Sequence, residues 1–141
     1  MVSRIFLDAN ILLDLTLKRG QFSEARALFA AIAERQFTGL TTTSSLNVCA
    51  HWLTKSFGDT IAREVLLGLL DELEVVDPGK TVMRKALLAD IKDIEDAFQF
   101  YTAIHHKADV LVTQDKSLLQ YKQPLLTICD ASAFVKKYLP R

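Results

Sequence analysis

Apolar positions along the chain fall into short runs separated by longer stretches at helical spacing. Arg4-Ile5-Phe6-Leu7 is an apolar run that stops at Asp8, the pattern of a buried strand. Ile11 to Lys18 reads as a short helix with Asn10 near its start and Gly20 as its breaker. From Ser23 to Arg35, Ala25, Leu28, Phe29, Ile32 and Ala33 recur at helical intervals. Gly39-Leu40-Thr41-Thr42-Thr43 is rich in β-branched residues and predicts a second strand. Ser44 or Ser45 then caps a helix carrying Leu46, Cys49, Ala50 and Leu53. After Gly58, Asp59 caps another that runs to about Leu70. Leu73-Glu74-Val75-Val76 is strand-like and closed by Asp77-Pro78-Gly79. Helical patterns cover Thr81 to Asp90 and Asp96 to Lys107. Asp109 to Thr113 and Leu125 to Ile128 are the last two strands, and Ala131 to Tyr138 is a closing helix.

Strands that alternate with helices predict an α/β domain with a mostly parallel central sheet. No repeat or linker divides the 141 residues, so one domain spanning 1–141 is expected. In such a sheet, ligands bind beyond the carboxyl ends of the strands, where strand order reverses. Asp8 follows the first strand and Asp115 the fourth, so both are placed at that edge.

Charge and cysteine content narrow the classes. With 17 basic and 17 acidic residues the net charge is zero, which argues against coating nucleic acid by bulk charge. A local basic patch stays open. Cys49 and Cys129 form no C-x-x-C pair, so a zinc site is not expected and both read as reduced thiols. No secretory leader pattern and no membrane-length apolar run appears, and a cytoplasmic protein is expected. P-loop, G-x-G-x-x-G and G-x-S-x-G patterns are missing.

The candidate chemistry is acidic. If the first and fourth strands are neighbours, Asp8 and Asp115 converge with Asp96, which opens the helix feeding the fourth strand. Carboxylates are the hard ligands that Mg²⁺ or Mn²⁺ prefers, and without a cation such a cluster repels itself. Each acid also has a structural reading. Asp8 can cap the helix after it, Asp93 and Asp96 suit a helix N-terminus, and Asp115 can cap a short helix. Asp96, however, sits at the margin of the face carrying Ala97, Phe100 and Ile104, where a carboxylate needs a partner. His51, His105 and His106 share no ligand spacing, Trp52 reads as a core residue, and Asp14 and Asp90 read as solvated helix residues, with Asp14 also able to point back toward Asp8.

Phe6-Leu7-Asp8-Ala9-Asn10-Ile11-Leu12-Leu13-Asp14-Leu15 resembles the opening motif of PIN domains, in particular of VapC-like toxins. Glu95-Asp96-Ala97-Phe98, followed by Ala108-Asp109-Val110-Leu111-Val112-Thr113-Gln114-Asp115, resembles their C-terminal motif. The resemblance implies a five-stranded parallel sheet in order 3-2-1-4-5 flanked by helices. It implies a Mg²⁺- or Mn²⁺-dependent nuclease that cuts RNA, with Asp8, Asp96 and Asp115 matching family acids and Asn10 and Thr113 matching polar positions beside them. Homodimerisation and inhibition by a small antitoxin protein are implied as well. The family's second acid, usually Glu in the helix after strand two, has no counterpart. By offset its position falls on Val48, with Asn47 adjacent.

The function expected is therefore a metal-dependent endoribonuclease, the toxin of a toxin–antitoxin pair, acting on RNA that is single-stranded at the cut. Asp8, Asp96 and Asp115 would hold the ion, supported by Asn10, Asp93 and Thr113, with Lys18, Arg19 and Lys116 as phosphate contacts. The alternative is a catalytically weakened PIN module that binds RNA or protein. A phosphatase-like Mg²⁺ hydrolase ranks below both, because Asp8-Ala9-Asn10 lacks a D-x-D pattern.

Overall fold

A computed structural model describes residues 1–140. Five parallel strands form one sheet: β1 (Arg4–Leu7), β2 (Thr38–Thr41), β3 (Leu73–Val75), β4 (Val110–Val112) and β5 (Thr127–Cys129), in the order β3-β2-β1-β4-β5. The helices are α1 (Ala9–Thr16), α2 (Phe22–Ala33), α3 (Thr43–Phe57), α4 (Asp59–Glu72), α5 (Gly79–Leu87), α6 (Ile94–His105), α7 (Lys116–Leu119) and α8 (Ala131–Tyr138). The expected α/β class and strand order are the observed ones.

The central strands are apolar on both faces because both are covered. Ile5, Leu7, Val110 and Val112 pack into one core with α1, α2 and α8, and with Cys49, Leu53 and Ala62 of α3 and α4. Phe6, Leu40 and Leu111 face the other way, onto Phe100 and Ala103 of α6 and onto Leu118 and Leu126. Gly39 lets α2 and β3 close on β2: a Cβ there would lie 2.8 Å from Ile32 Cδ1 and 2.7 Å from Leu73 Cδ2.

Several element ends differ from expectation. Thr42, not Ser44 or Ser45, caps α3, its hydroxyl accepting from Ser45 N at 3.0 Å, so β2 ends at Thr41. At β4, the Asp109 carboxylate accepts from Ser3 N and Arg4 N at 2.8 and 2.9 Å, and the strand starts one residue later than expected. Helix α5 stops at Leu87, where Leu88 N is shared between the Arg84 and Lys85 carbonyls and Ala89 N turns to that of Ala86. No helix among the described residues is long and apolar enough to cross a membrane. Trp52, expected in the core, is 42% exposed on α3, because the buried side of that helix is taken by Ser45, Cys49 and Leu53.

Candidate functional site

β1 and β4 are paired, with Leu7 opposite Val112. The pairing extends one residue further, as Asp8 N donates to Val112 O at 3.1 Å. That register sets Asp8 beside Thr113. The Thr113 hydroxyl donates to Asp8 Oδ2 at 2.9 Å and accepts from Asp115 N at 3.0 Å. One buried oxygen atom thus ties the Asp8 carboxylate to the turn that carries Asp115.

The structural readings of the three acids separate here. Asp8 occupies the N-cap position of α1, but its side chain makes no cap hydrogen bond. The residue is 5% exposed, and its carboxyl pKa is raised, by burial first and then by the charges of Asp115 and Glu95, against the lowering effect of Thr113 and Ala9 N. Asp115 does cap α7, through Oδ1 to Leu118 N at 3.1 Å. Asp93 likewise caps α6, accepting from Asp96 N at 2.9 Å, which starts that helix two residues earlier than expected.

Asp96 then stands in the first turn of α6, 5% exposed, and among the described residues no hydrogen-bond donor or cation meets its carboxylate. Burial pushes its pKa up to about 7, followed by the negative charges of Asp115, Asp93 and Asp8 and by the hydrogen bond that a protonated Asp96 carboxyl shares with the Asp115 side chain. A buried carboxyl in such surroundings is held at a cost unless a cation or proton arrives.

Carboxylate oxygens whose repulsion nothing relieves are a donor set suited to Mg²⁺ or Mn²⁺. Asp96 lies against Asp115, and Asp8 is coupled to both. They are not yet closed into a coordination shell. Among the described residues no three His, Cys, Asp or Glu side chains are drawn tightly enough to hold an ion as they stand.

Helix α3 presents neutral groups to this edge. Cys49 lies 3.9 Å from Ala9 O, and its thiol is pushed up to about 12, by burial and then by the charge of Asp8. Val48 is 37% exposed. The charge of Glu95, next to Asp96 in α6, also reaches Asp8, and nothing in its local sequence pattern marks it as part of the site.

Other expected members are placed elsewhere. Asn10 is exposed and accepts from Arg19 Nη2 at 3.3 Å, with no hydrogen bond to the three acids. Asp14, expected to be solvated, is 2% exposed. It accepts from Gln21 N at 3.1 Å, pairs with Arg19 at 3.4 Å and meets the Gln114 amide. The tight turn at Gly20 (φ 53°) makes this possible, since a Cβ there would lie 2.8 Å from Asp14 Oδ1. Arg19 is thereby engaged, whereas Lys18 and Lys116 are exposed. His106 Nε2 lies 2.9 Å from Asp77 O, away from the acids.

The family model described as PIN domain matches residues 4–117. Among curated protein sequences none matches the chain. Solved structures with the same fold include the DNA-bound VapBC of Salmonella typhimurium, with 18% identity, a TM-score of 0.66, and coverage of 93% of this chain and 99% of that one. VapBC2 of Rickettsia felis, bound to a promoter DNA fragment, has 18% identity and a TM-score of 0.63, over 89% of this chain and 96% of the other. VapC20 of Mycobacterium tuberculosis, a toxin that cleaves the sarcin-ricin loop, has 16% identity and a TM-score of 0.64, over 86% and 98%.

Proposed function

Because this chain belongs to the PIN-domain family, we propose that it is a divalent-metal-dependent endoribonuclease and the toxin of a toxin–antitoxin pair. The observation that carries the reading is Asp96, a buried carboxylate set against that of Asp115 with no cation among the described residues to meet it. Asp8, Asp96 and Asp115 would hold Mg²⁺ or Mn²⁺. When bound, such an ion supplies positive charge that lowers the pKa of water and offsets charge developing on a phosphate.

The protein's part is positioning. Thr113 orients the Asp8 carboxylate and the Asp115 backbone with one hydroxyl. Asp93 fixes the first turn of α6 and so the height of Asp96. The rigid β1–β4 pair supports all of it. Lys116, exposed next to Asp115, can meet a phosphate, as can Lys18. An RNA single-stranded at the cut fits an edge of this kind, because its backbone is free to approach.

The fold shared with VapBC complexes supports an antitoxin partner for this chain. The exposed Trp52, Ile61, Leu67 and Leu70 on α3 and α4 support self-association into a homodimer. A second reading, a PIN module that binds without cutting, has one observation in its favour: α3 turns Ser45 and Cys49, not a carboxylate, toward the sheet.

The test is a pair of measurements on the same preparations. Mn²⁺ should raise the melting temperature of the wild type by mass action, and Asp8→Asn should lose most of that rise. A single-stranded RNA should be cut by the wild type in Mn²⁺ and spared by Asp8→Asn. Equal melting shifts in both proteins would place the ion elsewhere, and RNA that is bound but never cut would favour the second reading.

A further inference from the structure

The net charge of zero conceals a segregation of charge between helices. Helix α5 carries Lys80, Arg84 and Lys85, and no acid stands between Asp77 and Asp90. Helix α4 carries Asp59, Glu64, Asp71 and Glu72, with Arg63 as its only cation, so α5 is +3 and α4 is −3.

The cations of α5 are not neutralised. The ion pairs among the described residues use Arg4, Arg19, Arg35 and Arg63. The acids that flank α5 are turned elsewhere: Asp77 accepts from Thr43 N and Thr43 Oγ1 at 3.2 and 3.0 Å, and Asp90 from the Tyr121 hydroxyl at 3.4 Å. Lys80 and Arg84 are at i and i+4, so like charges are neighbours on one helix face. Lys80 also lies in the first turn of α5, where the helix dipole opposes a cation. The Lys85 ammonium stands 5.6 Å from the centre of the Tyr101 ring, a contact that leaves it charged. Positive charge gathered on one helix without local relief is suited to an anion from outside.

This helix adjoins the acids. It packs on α6, with Val82 and Lys85 beside Tyr101, Ile104 and His105. Met83 lines a cavity of about 310 Å³ together with Ser44, Ser45 and Glu95, the residue before Asp96. The loop from α5 into α6 brings a fourth cation, Lys92, which lines a second cavity of about 320 Å³ with Asp93, Asp96, Ser117 and Tyr121. Lys92 thus links the α5 cations to the edge that holds Asp96.

We propose that α5 is a backbone track, on which Lys80, Arg84, Lys85 and Lys92 take the phosphates of an RNA strand beyond the nucleotides at Asp8, Asp96 and Asp115. This rests on the nuclease reading above. Lys80 and Arg84 are about 6 Å apart along the helix axis, so each meets its own phosphate. Such contacts read charge and not base identity, so affinity grows with strand length and falls steeply with salt. A membrane would need the apolar face of α5 free to insert, and Val82 and Ala86 of that face are buried.

The test separates the track from the chemistry. Fluorescence anisotropy in EDTA, without metal-dependent cutting, follows the binding of an oligouridine of about 20 nucleotides over a range of salt. Lys80→Gln combined with Arg84→Gln should weaken binding roughly tenfold at low salt. It should also lower the slope of log affinity against log salt by about 1.4, at about 0.7 for each phosphate on a single strand. The double variant should melt no lower than the wild type, since it removes repulsion, so unfolding is not the cause of the loss. Lys136→Gln combined with Lys137→Gln, an equal change of charge on α8 in the opposite layer, should leave affinity and slope unchanged. Equal affinity and slope in the wild type and the α5 variant would overturn the track. An equal loss in the α8 variant would overturn it as well, because bulk charge would then account for binding. So would an α5 variant that binds RNA as the wild type does but loses binding to vesicles of phosphatidylserine and phosphatidylcholine, which would make α5 a membrane contact. A wild type that cuts the RNA in Mn²⁺, with an α5 variant that binds it as tightly, would sink the track and leave the nuclease. A slope that falls in the α5 variant, with a wild type that never cuts in Mn²⁺, would keep the track and sink the nuclease.

Discussion

Two buried carboxylates near the carboxyl edge of the sheet have opposite surroundings. Asp14 is closed off by partners: the Arg19 guanidinium, Gln21 N and the Gln114 amide all meet it. Asp96 is also buried and has another carboxylate beside it in place of a cation or N–H donors. Burial by itself therefore says little about an acid. An acid with its hydrogen bonds complete holds structure together, here the turn from α1 into α2. One whose charge is left unbalanced is set up to receive something that balances it.

Substitutions at the two positions should separate most widely. Asp96→Asn should cut RNA cleavage by on the order of a hundredfold or more, since a group that positions a metal is worth several kcal/mol at the transition state. In the absence of metal the same change should raise the melting temperature, because it removes the repulsion from Asp115. Asp14→Asn should do the opposite, lowering stability by about 1–3 kcal/mol through the lost ion pair and acceptor while keeping the Mn²⁺-induced shift. Chemical denaturation with and without Mn²⁺ reads both. If the two variants behave alike, the contrast is wrong.

The pH dependence sharpens the contrast without mutation. Asp8 and Asp96 have folded-state pKa values raised above those of the unfolded chain, Asp96 to about 7. In the window between the two values the native state holds more protons than the unfolded state, so stability falls as pH rises. The metal-free protein should be more stable near pH 5 than near pH 7.5, by on the order of 5 °C in melting temperature. Asp96→Asn should flatten most of that slope, and saturating Mn²⁺ should flatten it in the wild type. A metal-free protein whose melting temperature rises over this range would contradict the placement of Asp96.

The smallest effect is expected on α3. Val48 is one turn from Ser44 and Ser45, which line the cavity beside Glu95, but it is more than a third exposed. A carboxylate introduced there acts through water-rich surroundings. Val48→Glu should raise Mn²⁺ affinity by about fivefold, the size of one charge–charge interaction at short range in high dielectric, as read by calorimetry. No change would mean that Glu95 already supplies the negative charge that α3 lacks.

Much of the fold was legible in the chain. The runs at Arg4–Leu7 and Val110–Val112 are apolar on both faces, as strands covered on both sides must be, and the helical periodicities between them leave little choice but a parallel α/β sheet. Strand ends were less legible, because the side chains of Thr42 and Asp109 bond to the backbone there, and hydropathy does not record that. The candidate acids were visible as strand-end and helix-start residues, but their roles were not. Asp8, Asp93 and Asp115 looked equally like caps, and two of the three are.

The sequence by itself determined the layer architecture, the positions of Asp8, Asp96 and Asp115, and the absence of an acid on the face of α3, since these follow from periodicity and residue identity. Only the tertiary structure decided which acids are balanced. From the sequence Asp14 reads as solvated, because local pattern cannot see Arg19 and Gln114 folding back over it, one from the next turn and the other from beyond β4. Asp96 is the converse case, an ordinary helix-start acid until the β1–β4 register brings Asp115 and Asp8 to it. Charge balance is a sum over neighbours in space, and neighbours distant in sequence enter that sum only once the chain has folded.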